Sequence, residues 1–126
     1  MGHGESHCWY AVCCKPRREG VAEENLLRQD FQVYLPRFRI RRRQRGQWFD
    51  TAEVLFPRYL FVRIDPLQRS ITPVRSTRGV VGLVRFGGQP AVVPNAVMGA
   101  LMRGEHAASG LHQDSRALIR AASADR

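Results

Sequence analysis

LFPRYLFVRID, residues 55–65, decides how the rest of the chain is read. From Tyr59 onward the residues alternate as a strand would: Leu60, Val62 and Ile64 point to one side, Tyr59, Phe61 and Arg63 to the other. The aliphatic side reads as core. The aromatic side, which Phe56 adjoins, reads either as a second core face or as a surface on which a partner docks. Asp65-Pro66 ends the strand.

Immediately upstream, FQVYLPRFRIRRRQRGQWFDTAEVLFP (31–57) reads as two strands joined by a turn at Arg45-Gly46-Gln47, because glycine tolerates positive φ. Pro36 marks an edge or a break at the start. Arg37, Arg39, Arg41, Arg43 and Arg45 share odd parity, which in a regular strand gives one arginine face. Such a row either tracks a nucleic acid or a protein partner or guards an exposed edge by charge. Before it, CWYAVCC (8–14) is a β-prone run, and 17–29 reads as a helix with Ala22 and Leu26 spaced i,i+4 and early glutamates suited to its N-terminal dipole. After residue 66, a short helical start is expected to be interrupted by Pro73. A strand over 80–86, a Gly/Pro-bounded turn with a short β run over 87–94, and a final helix capped by Asn95 complete the body. Residues 1–7 are expected to be disordered. Residues 105–126 read as a linker or tail, with a short helix possible near Arg116–Ala122. The fold class is therefore α+β, an antiparallel sheet with flanking helices, close to a ferredoxin-like plan over residues 8–104.

The 126 residues carry 20 Lys+Arg against 11 Asp+Glu, a net charge of +9, with 44% hydrophobic residues. That is enough apolar material for one folded domain, and the charge points to a polyanionic partner. Lys15 is the only lysine. Arginine makes forked bonds to phosphate and stacks on bases, although genome composition yields the same arginine bias. No stretch of about 18 apolar residues exists and the start lacks the basic and apolar regions of a signal peptide, so a cytoplasmic location is expected. Cys8, Cys13 and Cys14 are odd in number and clustered, which is not a disulfide framework. With His3 and His7 they lack the second ligand pair of a zinc site, so they read as buried thiols and no metal or other cofactor is expected. No catalytic motif with a supporting fold context is present, so an enzyme is not expected.

Four segments in order, WYAV (9–12), LFPRYLFV (55–62), TRGVVGLVRFG (77–87) and AVVP (91–94), resemble the N-terminal (NGN) domain of the NusG transcription elongation factors. The stretch VRFGGQPAVVP and the basic hairpin resemble the specialised RfaH branch more than housekeeping NusG. The resemblance implies a domain without catalytic activity that binds the clamp helices of the RNA polymerase largest subunit through an apolar depression. It assigns Trp9, Ala11, Cys13, Phe56, Tyr59, Phe61, Val97 and Leu101 to that depression, with Cys13 standing where RfaH-like proteins carry tyrosine. Ser70, Ile71, Thr72 and Pro73 match the segment that meets the gate loop of the second-largest subunit, without the His and the run of Thr that RfaH-like proteins place there. Bridging the cleft in this way suppresses pausing and favours antitermination by shifting the polymerase population.

The same resemblance implies contact with the single-stranded non-template DNA through Lys15, Arg18, Asn25, Arg28, Gln29, Thr77 and Arg78, and Arg45 joins this set from the arginine row. Pro16 stands where arginine is typical, and Asn25 where histidine is. Relatives carry a C-terminal KOW domain, which these 126 residues do not include; the chain is expected to be an N-terminal piece or a single-domain form. A bare depression would then invite self-association. The other function class left open is a stand-alone single-stranded nucleic-acid binder using the arginine-rich hairpin.

Overall fold

The computed structural model describes residues 7–104. Of the disorder expected over residues 1–7, all but the half-buried His7 lies outside the described residues, as does the linker expected over 105–126. Strand β1 (Cys8–Cys14) leads to helix α1 (Glu19–Leu27), then to β2 (Gln32–Tyr34), β3 (Arg37–Gln44), β4 (Gln47–Val54) and β5 (Tyr59–Ile64). Helix α2 (Thr72–Arg75), the short strands β6 (Val80–Leu83), β7 (Arg85–Phe86), β8 (Gln89–Pro90) and β9 (Val92–Val93), and helix α3 (Asn95–Met102) follow.

The main sheet runs β2-β5-β1-β6, all antiparallel. Counting only these four strands in chain order, that is 2-3-1-4, the ferredoxin-like arrangement, with α1 and α2 as its two crossovers. Two additions distinguish the molecule. The β3–β4 hairpin is inserted between β2 and β5 as a separate two-stranded sheet, and β9 pairs with Trp9 and Tyr10 of β1.

Strand parity distributes β1 and β5 between two cores. Tyr10, Val12, Cys14, Leu60, Val62 and Ile64 face α1 and α2, packing with Ala22, Leu26 and Val74. Trp9, Ala11, Cys13 and Phe61 face the other way, packing with Leu55, Phe56, Val84, Val93, Met98 and Leu101. The first strand is thus buried on both faces, which is why its sequence is an unbroken apolar run.

Several local details differ from expectation. Pro73 lies within the first turn of α2 rather than ending it, because the first N–H groups of a helix need no intrahelical partner. Asn95 is the first residue of α3, not its cap; Pro94, extended at φ −57° and ψ 141°, precedes it and no side-chain cap bond forms. The run 80–86 splits at Val84, whose N–H donates to Ala11 O at 2.9 Å while its carbonyl accepts from Ala91 at 2.8 Å. The hairpin turn is Arg45-Gly46, both at positive φ (52° and 78°), with Gln44 opposite Gln47. That is the signature of a two-residue primed turn, which matches strand twist. Arg45 therefore leaves the strand, and the arginine face comprises Arg37, Arg39, Arg41 and Arg43.

Candidate functional site

Three cations from different parts of the chain converge. Lys15 follows β1, Arg18 precedes α1 and Arg78 precedes β6, and with Val21 and Gly79 they line one concavity of about 150 Å³. Backbone bonds fix this arrangement: Lys15 N–H donates to Gly79 O at 2.8 Å and Arg18 N–H to Lys15 O at 2.9 Å, with Arg17 between them at φ 62°. Gly79, at φ 91°, lies against α1 so closely that a Cβ there would sit 2.8 Å from Ala22 N. Among the described residues, no carboxylate pairs with any of the three cations. All three are exposed, and three unneutralised cations around one hollow favour phosphate.

Other residues of the expected DNA-contact set take different places. The Asn25 side chain donates to Val21 O at 2.7 Å, and Gln29 Nε2 donates to Asn25 O at 3.1 Å and to Thr77 Oγ1 at 2.8 Å. Thr77 is buried and its hydroxyl donates to Pro73 O at 2.9 Å. Asn25, Gln29 and Thr77 thus form a relay that braces α1 against α2, and Thr77 offers little surface to a ligand. Arg28 is exposed but paired with Glu24 one turn earlier at 2.6 Å. Arg45 is exposed at the hairpin turn, the far end of a separate sheet.

The relay also positions the segment matched to the gate-loop contact. Ser70, Thr72 and Pro73 are exposed, whereas Ile71 packs partly into the first core. Arg69 anchors the approach: its guanidinium lies 3.5 Å from the Phe31 ring centroid and donates to the carbonyls of Asp30, at 2.9 Å, and Gln29.

The apolar set is brought together, but as core. Phe61 is fully buried, and Trp9, Ala11, Cys13, Phe56 and Leu101 are at most 7% exposed. Phe61 is stacked on Tyr34 at 6.5 Å and meets Phe56 edge-on at 6.0 Å. Tyr34 is held there by a bond from its hydroxyl to Leu101 O at 3.1 Å, and burial pushes its pKa up. The expected bare depression is corrected accordingly: α3, β9 and the residues before β5 cover this face, because an uncovered aromatic face would leave too much apolar surface in water. Tyr59 and Val97 stay half-buried at the margin with Tyr34, Phe38 and Ala91. Beside α3, a concavity of about 300 Å³ is lined by Trp9, Arg63, Met98 and Met102 among others.

Cys13 and Cys14 are buried and Cys8 is half-buried, and none of the three is joined in a disulfide. Among the described residues, no group of three or more His, Cys, Asp or Glu is placed to hold a metal ion, and no helix is long and apolar enough to cross a membrane. Sequence reasoning missed Gly79, whose only signal is a glycine between a cation and a strand, and Trp48. Trp48 is 57% exposed on the hairpin, and its signal is an aromatic directly after a turn in a cationic ribbon.

Comparison with known proteins agrees with this architecture. A solved structure of Thermotoga maritima NusG, concerned with its domain interaction, matches with a TM-score of 0.58 at 26% identity, covering 77% of this chain and 56% of that chain. The chain therefore spans little more than half the length of that relative. The family model described as transcription termination factor NusG matches residues 7–102, and the chain belongs to the NusG family.

Proposed function

We propose that residues 8–104 form a polymerase-binding domain that acts during transcription elongation without catalysing a reaction. The observation that carries this reading is the convergence of Lys15, Arg18 and Arg78 on one hollow of a NusG-family domain. The non-template strand of the transcription bubble is the ligand: its phosphates meet the three cations, and Asn25, Gln29 and Thr77 hold the platform that carries them. On the opposite side of the sheet, the half-buried margin of Tyr59 and Val97 meets the clamp helices of the largest subunit. The covered aromatics behind it keep that margin rigid. The exposed residues of 70–73 reach the gate loop of the second-largest subunit, and bridging the two sides makes the paused state costlier. The VRFGGQPAVVP stretch and basic hairpin support an RfaH-like, antiterminating member of the family.

Retention of the chain on immobilised clamp helices tests the protein side. Tyr59→Ala, which leaves Phe61 in place, is expected to weaken retention about tenfold, in the range of an interface anchor. Equal retention of both proteins removes the assignment. Crosslinking to the non-template strand of a stalled elongation complex tests the nucleic-acid side. Arg18→Gln with Arg78→Gln should reduce the yield at unchanged polymerase binding.

A further inference from the structure

The β3–β4 hairpin carries a second cationic feature that the polymerase reading does not use. Its strands pair along their whole length, and residues 41–50 are exposed without exception. Cross-strand partners point to the same side, so one face presents Arg37, Arg39, Arg41 and Arg43 together with Trp48 and Asp50. That is four arginines against one aspartate, spaced along the strand at intervals of about 7 Å. Trp48 is 57% exposed, with the Arg41 and Arg43 guanidinium carbons 5.3 and 5.9 Å from its ring centroid. The ion pair of Arg41 with Asp50, at 3.5 Å, is itself open to water. Cross-strand Arg–Trp packing helps hold a ribbon together, but it does not call for an indole at an exposed tip when the protein's other tryptophan is buried.

We infer that this face binds an unpaired nucleic-acid strand, a base stacking on Trp48 while the flanking arginines hold the phosphates. An indole face accepts any base, but only one that has left its duplex stack, whereas the arginines alone would bind duplex as readily. The surface lies on the α1 side of the sheet, where Arg37 bridges to Glu23 at 3.0 Å. It does not rest on polymerase binding and is testable on the free chain.

The test titrates the chain with a 20-nucleotide single strand, as DNA and as RNA, and with the matching DNA duplex, reading anisotropy and tryptophan emission. Trp9 is only 7% exposed, so the quenching lost in Trp48→Phe isolates the hairpin signal. Either single strand should quench Trp48, and quenching by only one of them identifies the source. Trp48→Ala should bind about tenfold more weakly, Trp48→Phe should keep most of the affinity, and Arg41→Gln with Arg43→Gln should lower the salt slope by roughly 1.4. Circular dichroism of each variant checks the fold, and the wild-type quenching stands even if a variant fails it. Lys15→Gln, Arg18→Gln and Arg78→Gln together should leave the Trp48 quenching in place, which separates this site from the first. Unchanged emission at saturation, equal affinity for duplex and single strand, or a folded Trp48→Ala protein that binds as the wild type overturns the inference.

Discussion

Strand β5 and the β3–β4 hairpin share the same two-residue alternation and meet opposite fates. In β5 both sets of side chains are apolar up to Arg63, and apart from half-buried Tyr59 at the margin both are buried, one under α1 and α2, the other under α3. In the hairpin one set is arginine, and beyond its root neither face is covered. Among the described residues, Phe38 and Val54 are its apolar ties to the body, one to each core, and the Arg37–Glu23 bridge joins its root to α1. Alternation therefore sets the direction of side chains, while the chemistry of both sets decides whether other elements will pack on them. The body gains its stability from burial. The hairpin depends on backbone pairing and cross-strand contacts, and its side chains remain available to a ligand.

The difference is broken most directly at Phe61. Phe61→Ala should cost about 3–5 kcal/mol in urea unfolding, the range for removing a buried aromatic. A loss under about 1 kcal/mol would mean that the aromatic face is not core and would restore the open depression. Gly79→Ala comes next. A left-handed φ of 91° and a backbone 2.8 Å away leave no room for a methyl group, so a loss of about 1–3 kcal/mol is expected. Because Gly79 also lines the cationic hollow, affinity for single-stranded DNA should fall with it.

Burial of β1 on both sides also shows in thiol chemistry. Burial pushes the Cys14 pKa up to about 12, with Cys13 and Glu19 adding and Arg58 opposing. A thiol whose pKa is raised by folding contributes stability that is complete below its unfolded value and is lost as pH rises through the folded one. Stability should therefore decline between about pH 9 and 12, with a slope from this group of at most about 1.4 kcal/mol per pH unit. Native protein should react with a thiol reagent at Cys8 well before Cys13 and Cys14, and all three should react in denaturant. Equal native rates would contradict the two-sided core.

How far the sequence carries this comparison depends on the element. The extent of β1 and the Ala22–Leu26 stripe of α1 follow from local pattern, and so does a turn at Arg45-Gly46-Gln47, which the structure narrows to Arg45-Gly46 with Gln47 in β4. The ferredoxin-like order follows from the sequence of elements once the hairpin is seen as an insertion. What covers the aromatic face does not follow, because Met98 and Leu101 are distant in sequence and a greasy strand face looks the same under a helix or under a partner. Helix α2 was hidden because proline breaks a helix in its interior but not in its first turn. Convergence of Lys15, Arg18 and Arg78 was legible as three cations, but their shared hollow depends on a close approach at Gly79 that no local pattern announces.

The smallest effects are expected on the hairpin, and they sharpen the contrast because they are small. Arg42 bonds Glu53 at 2.8 Å, but the two side chains are 49% and 37% exposed, so water screens the pair and ordering two long side chains offsets much of the gain. Arg42→Ala should change unfolding free energy by no more than about 0.5 kcal/mol. Trp48→Ala loses cross-strand contact with Arg41 and Arg43 and should cost below about 1 kcal/mol. If either substitution approached the cost of Phe61→Ala, the hairpin would be part of the cooperative core rather than an appendage to it. Small stability losses for both, joined to a large loss of oligonucleotide binding for Trp48→Ala alone, would place folding in the body and recognition on the ribbon.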